Sequence, residues 1–145
     1  MNNKKLTLSL LAATMMLAGC VSSGTKKVTV QEEQLVHHRF VLETVNGQDV
    51  PPGVKAPELS FNEDMHISGS MCNQFTGKGS LSEGVLKAKK VAMTKKLCTD
   101  PQLNQLDATL SKMLHNGAQV DLTADQLTLA DDSDSLIFKL ADLVQ

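Results

Sequence analysis

Apolar and polar residues alternate over most of the chain from Val36 onward, the period-two spacing of strands that bury one face. Residues 36–44 read as the first strand, ending at Asn46-Gly47, a strong hairpin-turn pair. Pro51-Pro52-Gly53 and Pro57 make the next connection a loop. Residues 58–62 and 65–69 read as a hairpin around Asn62-Glu63-Asp64. Leu59 and Phe61 share one face of it, as do Met65 and Ile67. Gly77 and Gly79 are expected to bracket a turn, and Glu83-Gly84 to make another before Val85-Leu86. Strands at 118–123, 126–130 and 135–140 complete the pattern, parted by Ala124-Asp125 and by Asp131-Asp132-Ser133-Asp134.

One segment changes period. Asp100 suits an N-cap and Pro101 the first helical position. Leu103, Leu106, Leu110, Met113 and Leu114 then recur at helical spacing, and Gly117 supplies the stop. The stripe is wide enough to pack on a sheet. The expected fold is therefore α+β: a small curled antiparallel sheet or open β-barrel with one principal α-helix, about residues 101–116.

The first residues follow different rules. Met1-Asn2-Asn3-Lys4-Lys5 is a short positive segment, and residues 6–16 form an apolar run too short to span a bilayer. Leu17-Ala18-Gly19-Cys20 then resembles the lipobox of bacterial lipoproteins. Residues 1–19 are expected to be a signal peptide cleaved before Cys20, with the Cys20 thiol carrying the lipid. Val21 stands where an Asp would mark inner-membrane retention, so the expected location is the outer membrane, lipid-anchored and facing the periplasm. Residues 20–34, small and polar, are expected to be a flexible tether, with the domain occupying residues 35–145.

Charge and composition narrow the function. The chain has 14 basic and 16 acidic residues, and loss of Lys4 and Lys5 leaves the mature chain more acidic. That sign argues against nucleic acid as a partner. Trp and Tyr are absent, and Phe40, Phe61, Phe75 and Phe138 all lie in strand-like apolar contexts. The rings on which sugars and nucleotides usually stack are thus assigned to the core. Once Cys20 is lipidated, Cys72 and Cys98 remain, and an oxidising periplasm favours a bridge over two thiols.

No catalytic or metal motif emerges. His37 and His38 are adjacent, so on a strand they point to opposite faces, and His66 and His115 stand apart. The serines lack a Gly-x-Ser-x-Gly elbow. Asp131, Asp132 and Asp134 lack the glycine and terminal glutamate of a calcium loop. No cofactor or metal is expected. Lys87, Lys89, Lys90, Lys95 and Lys96 form the one basic cluster. It fits either a solvated strand edge that discourages pairing or a face turned to anionic headgroups.

From Phe40 to Leu140 the chain resembles the META domain family. Phe40-Val41-Leu42 with Val45-Asn46-Gly47 is similar to the family's opening Trp-x-Leu…Gly. Gly69 with Cys72-Asn73 is similar to its central Gly-Cys-Asn, and Thr94-Lys95-Lys96-Leu97-Cys98 to its second signature. Leu127-Thr128-Leu129 and Leu136-Ile137-Phe138 fit its closing hairpin. Phe40 replaces the usual Trp, and Met71 the Gly usually beside the cysteine. The resemblance implies a heat- or antibiotic-stress envelope lipoprotein with no established enzymatic activity, and it implies that Cys72 pairs with Cys98. The expected function is non-catalytic: a monomer, membrane-bound through Cys20, that binds an envelope protein or an apolar ligand at the barrel interior or seam. The rivals are a structural lipoprotein without a ligand and an enzyme with a scattered site.

Overall fold

Eight antiparallel strands close into a barrel in a computed structural model, which describes residues 29–50 and 55–143. In chain order the elements are α1 (Glu32–Leu35), β1 (His38–Val45), β2 (Gln48–Asp49), β3 (Glu58–Phe61), a 3₁₀ turn (Glu63–Met65), β4 (His66–Ser70), β5 (Gln74–Ser82), β6 (Val85–Met93), α2 (Pro101–Asn116), β7 (Ala118–Thr123), β8 (Gln126–Ala130) and β9 (Ser135–Leu143). Each strand from β3 on pairs with the next, and β9 returns to pair with β1. An even number of strands lets every pair, including the closing one, be antiparallel. The two-residue β2 only extends the β1 edge beyond β3.

The expectation of a curled antiparallel sheet with one principal helix thus holds at the level of an antiparallel barrel, and the protein is mostly β. Asn46-Gly47 and Glu83-Gly84 both have positive φ at their two residues, the backbone of two-residue hairpin turns. β9 runs three residues past the expected end, because it supplies the closing ladder with β1.

Gly77 and Gly79 do not bracket a turn. Both lie inside β5, buried and facing inward between Phe75 and Leu81. A Cβ on Gly79 would come within 2.7 Å of the Ile67 side chain and of the Met65 carbonyl oxygen. Two glycines follow one another between large residues on this inner face because a narrow barrel leaves no room for a large side chain at every position.

Residues 29–34, expected to belong to the tether, pack with the domain instead. Val30 is 8% exposed and belongs to the core. The Gln31 amide donates to the Gln34 Oε1 (2.8 Å), and Leu35 is fully buried. Residues 30–35 are thus part of the fold, and α1 covers the barrel end from which β1 starts. The expected signal peptide, Cys20 and the part of the expected tether up to residue 28 lie outside the described residues.

Phe40, Phe61, Phe138, Leu59, Ile67, Leu86, Leu127, Leu129 and Leu136 fill the interior. Phe40, the substitute for Trp, meets the Phe61 ring edge-on at 6.0 Å, a favourable aromatic geometry. A barrel of about eight strands is just wide enough for its own side chains, and here they occupy the concave interior that could have taken a ligand.

Candidate functional site

The helix begins as its sequence requires. Asp100 accepts a hydrogen bond from the Gln102 amide (2.9 Å), and Pro101 opens the first turn. Leu106, Leu110, Met113 and Leu114 are buried. Gly117, with φ of 110°, ends the helix where a Cβ would meet Val85 at 2.9 Å. β7 pairs with β6 only at Val85 and Leu86, and α2 packs against β6 beside the part that β7 leaves open. The stripe thus seals the barrel where the ladder runs out.

A polar cluster fastens this helix to the barrel. Asp107 Oδ1 accepts from the backbone amides of Cys72 (3.1 Å) and Asn73 (3.0 Å), in the turn between β4 and β5. Its Oδ2 accepts from Asn73 Nδ2 at 2.7 Å. Asn73 also reaches the loop after β6: its Oδ1 accepts from Thr94 Oγ1 and the Lys96 amide, both at 2.8 Å, and its Nδ2 donates to the Lys96 carbonyl at 3.0 Å. Asn73 is 6% exposed. Cys72 and Cys98 are joined by a disulfide with Cα atoms 5.9 Å apart. Asn104, on α2, closes the circuit by accepting from the Cys98 amide and donating to its carbonyl (both 2.9 Å).

Residues that stand apart in the chain, 72–73, 94–98 and 104–107, therefore form one connected network. Asn73 uses both its amide donors and its carbonyl on the fold itself, and so does the Asp107 carboxylate. A partly buried network so completely paired holds elements in register. It presents no spare nucleophile or base.

The sequence alone does not single out Asp107. The one signal it gives is a place at the margin of the helical stripe, four residues after Leu103 and three before Leu110. Its partners lie more than 30 residues away in the chain, which no local pattern reveals.

The other candidate residues remain scattered. His38 Nδ1 lies 2.9 Å from the Val36 carbonyl, while His66 and His115 are exposed on β4 and α2. Among the described residues no three His, Cys, Asp or Glu side chains gather at a metal-binding distance. Asp131 shapes the turn between β8 and β9: its Oδ1 accepts from the amides of Asp134 (2.8 Å) and Ser133 (2.9 Å). Those two hydrogen bonds, helped by Lys112 at 3.7 Å and opposed by partial burial, lower its pKa below the ordinary aspartate value. Lys112 reaches Asp134 as well, at 3.6 Å. A cleft of about 480 Å³ runs beside this pair, lined by Asn116, Gln119 and Ser133. It is open and polar, and the lysine on its wall is already paired.

Lys87, Lys89, Lys90, Lys95 and Lys96 are all exposed. The structure adds Lys78, which stands directly across from Lys89 in the β5–β6 ladder. Between Lys96 and Cys98, Leu97 is 87% exposed. It sits on a loop tied on one side by Asn73 and on the other by the disulfide and Asn104.

Comparison with known proteins places this geometry in context. The model of the META domain matches residues 33–142. "Heat shock protein HslJ" of Escherichia coli (strain K12) is 58% identical over 133 residues, covering 92% of this chain and 94% of that one. A structure solved by NMR is 60% identical, with a TM-score of 0.74 over 79% of this chain and 97% of its own. A second NMR structure, of a protein from Burkholderia xenovorans, shares the fold at a TM-score of 0.61 with 22% identity, covering 81% of this chain and 94% of its own. The family match over residues 33–142 and the identity to a relative covered almost end to end settle one point: this chain belongs to the META domain family.

Proposed function

We propose that the protein is a non-catalytic lipoprotein of the envelope stress response, held at the outer membrane by a lipid on Cys20, which acts through its outer surface. One observation carries this reading: the interior is filled with side chains, and the polar cluster around Asn73 is paired within the fold. What remains to work with is the outside. The name of the relative from Escherichia coli supports a role under heat stress. The lipobox-like Leu17-Ala18-Gly19-Cys20 supports the anchor. An envelope protein bound at the surface fits better than an apolar ligand within the barrel, and a purely structural role is the alternative.

A strain lacking the protein tests the reading. Complementation with wild type should restore growth under heat or antibiotic challenge, and Cys20→Ser should fail to restore it while abolishing palmitate label and membrane partition. A Cys20→Ser protein that still carries palmitate removes the anchor. Equal rescue by both forms removes the need for it.

A further inference from the structure

We propose that the outer face of the β5–β6 hairpin, together with the loop that carries Leu97, is a contact surface for a bilayer rich in anionic phospholipid. The first observation is a segregation of charge. From His66 to Thr99 the chain has six lysines (78, 87, 89, 90, 95 and 96) and a single acid, Glu83, although acids outnumber bases overall. Folding gathers these lysines on neighbouring strands and the loop after them. All six are exposed, and no ion pair to any of them forms among the described residues. Lys78 and Lys89 even face each other across the ladder. Like charges so placed weaken a sheet, so folding does not explain their presence.

The second observation is Leu97. A leucine at 87% exposure on a loose loop would mean little. This one is held outward by a loop that is bonded through Lys96 and Cys98, and Lys95 and Lys96 stand beside it. An apolar tip beside two cations suits the boundary between headgroups and acyl chains.

The third observation is where the chain enters the fold. Thr29 lies against Gly84, in the turn that joins β5 to β6. Cys20 is nine residues earlier, a reach of about 30 Å at full extension. The hairpin is thus the part of the barrel next to the tether. The acids Glu63, Asp64, Glu83 and Asp125 ring that same end of the barrel. An anionic surface repels that rim and attracts the lysine stripe, so the barrel lies on its side, with the stripe running from Lys87 toward Leu97.

This inference rests on the anchored reading proposed above, and the test separates the two. Lipidated protein is reconstituted with vesicles of phosphatidylethanolamine and phosphatidylglycerol, or of phosphatidylcholine alone, and treated with a neutral amine-reactive reagent. Modification of each lysine is read by mass. On the phosphatidylglycerol vesicles Lys78, Lys87, Lys89, Lys90, Lys95 and Lys96 should react about fivefold more slowly, the factor for one lysine's attraction to such a surface. High salt should abolish the difference, and Lys55 and Lys139 should react alike on both. Leu97→Asn, at a site too exposed to matter for folding, should weaken the protection of Lys95 and Lys96. Equal rates on the two vesicles overturn the proposal, as does protection that appears only when envelope proteins are added. Pelleting with phosphatidylcholine vesicles reads the anchor independently. Protein that stays in that supernatant yet is protected on phosphatidylglycerol keeps the surface and loses the anchor.

Discussion

Asn73 and Asp107 meet side chain to side chain at 2.7 Å, one in the turn before β5 and the other in the second turn of α2. Through this contact a helix that covers the unpaired part of β6 is fixed to the strands on its far side. Asp107→Ala leaves two backbone amides and the Asn73 side chain without their charged acceptor. The expected loss is about 3 kcal/mol. Asp107→Asn keeps an acceptor for the amides but sets one NH₂ group against another, and should cost less. Urea melts of both variants check this order. An Asp107→Ala protein that melts like wild type would show that the helix does not need the clamp.

The disulfide closes a loop of 26 residues, which the loop-entropy estimate values at about 3–4 kcal/mol. Cys98→Ser should lower stability by about 2–4 kcal/mol. Protein isolated from cells and unfolded without reductant should not react with maleimide at Cys72 or Cys98. Quantitative labelling at both positions would remove the bridge.

Leu106 and Leu110 test whether the helical stripe is core. Both are buried, Leu110 fully. Truncation of either to Ala removes transfer energy and leaves a cavity, at a cost of about 2–5 kcal/mol. Gln105 is exposed, and Gln105→Ala should change stability by no more than about 0.5 kcal/mol. Equal urea midpoints for the three variants would contradict the assignment.

Asp131 predicts an acid dependence. Its pKa is lowered in the folded state, so the carboxylate stabilises the fold above the ordinary aspartate value of about 3.9. That contribution is lost as pH falls through the folded pKa. Asp131→Asn should therefore be less stable than wild type at neutral pH, and the gap should close in strong acid. A gap that is constant with pH would mean that the ionised form contributes nothing at this turn.

Much of the barrel is legible along the chain, for a local reason. Strand alternation, the Asn46-Gly47 and Glu83-Gly84 turns and the cap at Asp100 depend on neighbours a few residues away, and these lie where the pattern places them. The lipobox-like segment is local in the same sense. Gly77 and Gly79 mislead because a glycine marks a turn and a crowded inner face alike, and only the packing of Val91 and Ala88 around the first and of Ile67 and Met65 around the second decides between them. Val30 reads as tether because one apolar residue among polar ones has no period, yet it is buried in the core. Closure of β9 onto β1, the link from Asp107 to Cys72 and Asn73, and the meeting of Lys78 with Lys89 join residues 11 to about 100 positions apart. Those contacts depend on strand register and helix placement, which are set by the whole chain packing at once.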